Sequence, residues 1–208
     1  MDNVVYINLK YRTDRKIHVE RQFLNLGIHA TRVEALRTLD GAIGCTISHI
    51  KCIELAKQNN WPTVCICEDD VLFTNPEVFK TQLDRFLKSD INWDVLLLGA
   101  NIAPPFDTHE FYLRVYNAQT TTAYIVKQSY YDTLLKNFKD GLELLKTRPY
   151  EKRYYAIDMY WKQLQQRDNW FILYPLTVVQ MSTYSDIEER VVDYTKYMLD
   201  SKSNLKTS

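Results

Sequence analysis

The most chemically loaded stretch of the chain is Glu68-Asp69-Asp70, three contiguous carboxylates directly after the apolar run at residues 63–67. Like charges this close raise one another's pKa, and at the end of a buried strand something positive has to compensate them. A divalent cation is the least costly partner. If strand geometry persists, Glu68 and Asp70 project to the same side and can ligate one hard ion, Mg²⁺ or Mn²⁺, while Asp69 turns the other way. The plainer alternative is that these acids cap a helix starting at Asn75 or pair with a basic loop. Such a loop exists: Lys10, Arg12, Arg15 and Lys16 crowd around the single acid Asp14. If the strand before it lies parallel to the acid-tipped strand, Arg12, Arg15 and the carboxylates share one crevice with a phosphorylated ligand between them. Otherwise each arginine is a solvated surface charge.

The elements that must position these groups follow from apolar periodicity. Residues 4–9 form a strand; a helix capped by Thr13 or Asp14 then carries Ile17, Phe23, Leu24 and Leu26, with Gly27 as its C′ residue. A short strand near 30–35 precedes a helix from Gly41 with Ile43, Ile47, Ile50 and Ile53 on one stripe. Residues 63–67 read as a strand buried on both faces, 75–77 start another helix, and 93–98 are a strand stopped by Gly99. This βαβαβαβ order predicts an α/β fold: a Rossmann-like, mainly parallel sheet flanked by helices, with ligands at the carboxyl ends of the strands. The second half predicts strands at 111–116, 121–126, 170–173 and 178–179, helices over 128–145 and from near Asp158, and helix from Asp186 to the tail. One domain over 1–200 and a polar, frayed tail at 201–208 are expected.

Composition narrows the chemistry. With 46% hydrophobic and 25% charged residues in 208, the chain is a globular protein rather than a disordered or fibrous one. Its 26 basic and 26 acidic side chains cancel, which argues against a dedicated nucleic-acid binder. Five glycines are too few to build phosphate cradles, and neither G-x-G-x-x-G nor G-x-x-x-x-G-K-[ST] occurs, which excludes dinucleotide dehydrogenases and P-loop NTPases. A fold that holds a diphosphate without glycine-lined amides must use a metal and arginines, the logic of nucleotide-sugar transferases. Cys45, Cys52, Cys65 and Cys67 read as reduced core thiols, because paired C-x-x-C or histidine partners for zinc are missing. No signal peptide precedes the first strand and no apolar run spans a bilayer, so a cytoplasmic protein without a transmembrane segment is expected.

The series Val5-Tyr6-Ile7-Asn8-Leu9 with Arg12 and Asp14-Arg15, then Gly44-Cys45-x-x-Ser48-His49, then Glu68-Asp69-Asp70-Val71, resembles glycosyltransferase family 25. That family includes bacterial lipooligosaccharide galactosyltransferases and the procollagen galactosyltransferases. Ala123-Tyr124-Ile125-Val126, Asp158, Pro175, Gln180 and Ser185-Asp186-Ile187 resemble its later blocks. The resemblance implies a GT-A fold, a UDP-sugar donor and Mn²⁺ dependence, with Glu68, Asp69 and Asp70 as the counterpart of the D-x-D motif. The first member is Glu rather than Asp, a variation the family shares. It implies that Asn8, Leu9 and Arg12 lie at the uridine and phosphate end of the donor, with Arg15 beside them, and that Gln180 and Ser185-Asp186 line the site.

Asp158 is then the carboxylate base that an inverting transferase needs to take the acceptor hydroxyl proton; the alternative is an ordinary carboxylate at a helix start. His49 is either a core histidine bonded to a neighbouring strand or a donor contact. Tyr150, Tyr154 and Tyr155, beside Arg148, Lys152 and Arg153, either stack on an acceptor or are surface amphipaths. The expectation is a metal-dependent hexosyltransferase moving galactose or glucose from a UDP-sugar to a glycan or a hydroxylated protein side chain. A catalytically silent binding protein of the same fold is the alternative. A phospho-receiver domain is a weaker one, since Gly99 stands where its aspartate should be.

Overall fold

The computed structural model describes residues 1–185, 190–193 and 195–199, with only the backbone for 183–185. The first half follows the expected alternation: β1 (Val4–Asn8), α1 (Thr13–Leu26), β2 (Ala30–Glu34), α2 (Gly41–Gln58), β3 (Thr63–Glu68), β4 (Val71–Phe73), α3 (Pro76–Leu87) and β5 (Val95–Ile102). Strands β6 (Phe106–Thr108), β7 (Tyr112–Val115) and β8 (Ala118–Lys127) precede α4 (Tyr131–Thr147) and three one-turn helices, α5 (Lys152–Tyr155), α6 (Ile157–Tyr160) and α7 (Lys162–Gln165). The chain continues through β9 (Trp170–Leu173), β10 (Val178–Gln180), β11 (Thr183–Ser185), β12 (Arg190–Val192) and α8 (Thr195–Leu199).

One eight-stranded sheet, in the order β2-β1-β3-β8-β5-β9-β7-β6, forms the centre. β1 pairs parallel with β2 and β3, and β5 with β9, whereas β8 runs antiparallel between β3 and β5 and β7 runs antiparallel between β9 and β6. All strands of the sheet except β7 and β8 therefore point one way. Strand alternation divides the core into two layers. Val5, Ile7, Val64, Ile66 and Leu97 pack under α2 and α4, while Val4, Tyr6, Cys65, Cys67, Leu96 and Leu98 pack against the side of α1 and α3. The near-continuous apolar runs of β1, β3 and β5 are what two covered faces demand.

Several expected boundaries move. Gly99 does not end β5; the strand continues to Ile102, and Gly99 is where a Cβ would come within 2.8 Å of the Val178 carbonyl oxygen. The glycine serves the approach of β10, not a turn. Arg12 takes the N-cap position of α1 with no side-chain cap, and Asp14 lies in the first turn, so neither Thr13 nor Asp14 caps the helix. The expected helix from Asp186 to the tail is interrupted: residues 190–192 form β12, paired antiparallel with β11, and α8 covers Thr195–Leu199 among the described residues. The tail at 201–208 lies outside the described residues. Among the described residues no helix is long and apolar enough to cross a membrane.

Candidate active site

The acids stand where three strands converge. β3 ends at Glu68, and Asp69 and Asp70 turn the chain into β4, so strand alternation stops before it can set Asp69 apart. Parallel pairing of β1 with β3 sets Ile7 opposite Glu68 and leaves Asn8 beside the turn. Asn8 is 1% exposed; its amide nitrogen donates to Asp69 Oδ2 at 2.7 Å and to the Arg12 carbonyl at 3.0 Å, while its oxygen accepts from Arg32 Nε at 2.9 Å. Arg15, on the first turn of α1, donates through Nη1 to Asp69 Oδ1 at 2.9 Å and pairs with Asp70 Oδ2 at 3.1 Å. The basic loop does meet the acids, through Arg15. Helix α3 is capped by Asn75, whose Oδ1 accepts from Val78 N, and not by the acids.

Two further strands finish the site. β10 pairs antiparallel with β4, Gln180 opposite Val71, and from there Gln180 Nε2 donates to Glu68 Oε2 at 3.3 Å. In β8 a bulge changes the register: Gly99 faces Ala123 but Asn101 faces Gln119. Within the bulge Thr120 is held at φ 76°, a conformation costly for a β-branched residue, and Thr121 donates its hydroxyl to Glu68 Oε1. Asp158, at the start of α6, accepts from the strained Thr120 N–H at 3.0 Å.

These groups line one cleft of about 1480 Å³, above the ~300–1,000 Å³ usual for a single small-molecule pocket. Asn8, Leu9, Arg15, Glu68, Asp69, Asp70, Asp158 and Gln180 all face it; Arg12 does not line it and instead pairs with Asp14 at 2.9 Å. At its mouth, Lys152 of α5 bridges to Asp40 at 3.0 Å. For Ser185 only the backbone is described, and Asp186 and Ile187 lie outside the described residues.

The electrostatics are those of an incomplete charge set. Burial, with the Glu68 charge next and Arg15 opposing, pushes Asp70 up to about 7. Burial also raises Asp69 despite Arg15 and Asn8. Burial works against Glu68 too, but the His49 imidazole, the Thr121 hydroxyl and Arg15 outweigh it and hold the carboxyl below its usual value. Asp158 is raised, by burial first. Asp70 Oδ1 is buried with no hydrogen-bond partner. That orphaned oxygen suits a cation ligand, and two carboxylates are what Mg²⁺-type sites take when substrate phosphates supply the rest.

The sequence reading missed three lining groups. Asn101, with a buried oxygen lacking a partner, came from ending β5 at Gly99. The Thr120-Thr121 bulge left no periodicity to read. The four cysteines are free, and Cys45 packs against the core as expected, but it also faces the cleft with His49 and Glu68, and the three form the one group of three metal-capable side chains that converges among the described residues. Its signal was Cys45-x-x-x-His49, the i, i+4 spacing that puts two ligands on one helix face. His49 itself is fully buried, bonded through Nδ1 to the Tyr124 hydroxyl of β8 at 2.9 Å, as the core reading expected.

Residues 38–132, which hold the Cys45-His49 helix, the acid turn and the bulge, match the family model described as Glycosyltransferase family 25 (LPS biosynthesis protein). That match spans a little under half of the chain and supports placing it in the family. No curated protein matches it. Among solved structures it is similar to a glycosyltransferase involved in the glycosylation of the major capsid of PBCV-1, at 12% identity and a TM-score of 0.47, over 82% of this chain and 92% of that one. It is likewise similar to a mannose-1-phosphate geranyltransferase from Thermus thermophilus, at 10% identity and a TM-score of 0.47, over 83% and 74% of the two chains. A mutant Drosophila beta-galactosyltransferase 7 in complex with manganese, UDP-Gal and xylobiose aligns at 8% identity and a TM-score of 0.38, over 63% and 50%. The family match supports a glycosyltransferase, and the mostly co-directional sheet flanked by helices is the α/β architecture expected of one.

Proposed function

We propose that this protein is a family 25 glycosyltransferase that moves galactose or glucose from a UDP-sugar to a hydroxyl of a glycan or a hydroxylated protein side chain, with inversion, in the cytoplasm. The observation that carries the reading is Asp70: a buried carboxylate pushed up to about 7, with one oxygen unpartnered, at the carboxyl end of the parallel strands. When bound there, Mn²⁺ or Mg²⁺ supplies charge stabilisation to a leaving diphosphate, and Asp70 and Glu68 are the carboxylates that would hold it. Arg15 supports both Asp69 and Asp70 and adds a fixed positive charge near the phosphates. Asn8 locks Asp69, and Gln180 with Thr121 locks Glu68, so the acids are oriented before substrate arrives. Asn8 and Leu9 form the wall assigned to the uridine end, with Arg12 at its margin.

Asp158 is assigned the acceptor's proton. A general base works best when its pKa approaches the working pH, and burial moves Asp158 in that direction. Its bond from Thr120 N–H fixes the carboxylate's orientation across the bulge from the acid turn. The deciding experiment is UDP release with UDP-galactose, UDP-glucose and their N-acetylated analogues, with Mn²⁺, Mg²⁺ or chelator. Turnover with one hexose donor, abolished by chelator, is expected; no release from any UDP-sugar with either ion overturns the reading.

A further inference from the structure

Cys45 and His49 are a turn apart on α2 and both face the cleft. Cys45 Sγ, a His49 ring nitrogen and a Glu68 carboxylate oxygen lie within 4.8 Å of one another. His49 is held from behind: its ring stacks on Tyr124 at 5.7 Å, and Tyr124 meets Trp161 edge-on at 5.7 Å. Its Nδ1 is taken by the Tyr124 hydroxyl, leaving Nε2 buried, without a hydrogen-bond partner and 3.6 Å from Glu68 Oε1. Gly44 lets this end of α2 lie against the loop before it, where a Cβ would run into the Leu36 carbonyl. The helix that carries the pair is thereby fixed against the cleft wall.

The donor set differs in kind from the one beside it. Asp70 offers only oxygen, suited to a hard ion that keeps water and phosphate ligands. Cys45 and His49 add a sulfur and an imidazole, the ligands that select zinc-like ions over magnesium or calcium. We infer that Cys45, His49 and Glu68 form a second cation site, specific for a thiophilic divalent ion of the Zn²⁺ class, with its open position facing the cleft. Zinc bonds of ~2.0–2.3 Å require donor atoms roughly 3.3–3.8 Å apart, so Cys45 and Glu68 close by about an ångström through side-chain rotation. The thiol proton leaves to solvent as the metal–sulfur bond forms, and His49 binds as the neutral imidazole with Nδ1–H donated to the Tyr124 oxygen. Because Glu68 serves both sites, a thiophilic ion excludes the hard ion from it. Only that competition rests on the proposed sugar transfer; the site itself does not.

The test uses the full chain stripped of metal and titrated with Co²⁺. One equivalent is expected to bind with a thiolate-to-cobalt charge-transfer band that Zn²⁺ bleaches. Cys45→Ala should abolish the band, His49→Gln should weaken binding at least ~10-fold, and Asp70→Asn should keep the band while losing Mn²⁺. Absence of the band, its survival in Cys45→Ala, or its loss in Asp70→Asn overturns the proposal. If Cys45→Ala does not fold, X-ray absorption of the zinc-loaded wild type decides: a sulfur neighbour at ~2.3 Å supports the site, and a shell of nitrogen and oxygen alone refutes it. A protein that shows the cobalt band but releases no UDP keeps this site and loses the transferase reading.

Discussion

Two arginines inside this molecule are treated in opposite ways. Arg114 on β7 donates to the carbonyls of Val115 at 3.1 Å, Trp170 at 2.8 Å and Asp168. Beside it the fully buried Gln165 donates to the Ala118 carbonyl at 2.9 Å and accepts from its N–H at 2.8 Å. Backbone groups answer both guanidinium ends and the buried amide, and the cluster ties α7, β8 and β9 together. Arg15 faces carboxylates instead, in a cleft where Asp70 Oδ1, His49 Nε2 and Asn101 Oδ1 are all buried without partners. Leaving such atoms unmatched costs about 1–3 kcal/mol each, so the fold keeps the second cluster at the expense of stability. Gathered in one cleft, such unmatched acceptors suit a ligand in a way that the completed cluster does not.

That contrast breaks most sharply at Asp70. Asp70→Asn is expected to lower kcat/KM for transfer by ~10³-fold or more, since metal stabilisation of the leaving group is worth several kcal/mol. It should also raise the Tm of the metal-free protein at pH 7, because the buried charge is gone. Equal or lower Tm with full activity would erase the distinction. Asp158→Asn should cost ~10²–10⁴ in kcat while UDP binding, followed by calorimetry, is unchanged; weakened UDP binding would instead make Asp158 a donor contact.

At the complete cluster the signs reverse. Gln165→Leu, which strands the Ala118 N–H, should destabilise the protein by about 1–3 kcal/mol in urea while kcat below the melting range stays near wild type. The smallest effect is a pH slope. Asp70 is held up to about 7 from 3.8, so protonation favours the native state: its contribution is complete below about 3.8 and is lost as pH climbs through about 7. Asp69 and Asp158, also raised, act in the same sense, and Glu68, lowered, opposes them only at the acid end. The Tm of the metal-free protein should therefore fall between pH 4 and 7, and Mn²⁺ should flatten the slope. A rising Tm across that window would contradict the burial assigned to Asp70.

Strands β1, β3 and β5 were legible because two covered faces require unbroken apolar runs, and the acids stood out because nothing near them in sequence offsets their charge. What stayed hidden depends on distant partners. Gly99 reads as a stop until Val178 lies across it. Arg12 and Arg15 are equivalent on paper; the start of α1 at Thr13 sends Arg12 to Asp14 and Arg15 to the acid turn. Residues 190–192 form a strand because β11 offers them a partner, which no local propensity announces. Cys45 and His49 read as core from the sequence, and only the fold brings Glu68 beside them.

The pairing of β10 with β4 also sets an order in time. Asn8, Arg15, Glu68 and Asp70 are all synthesised early, yet Gln180, which steadies Glu68, leaves the ribosome after β8 and β9. Most of the central sheet can form around the acids before Gln180 reaches Glu68. The nascent chain is a scaffold first, and Glu68 gains this support only when a strand later than β8 and β9 arrives.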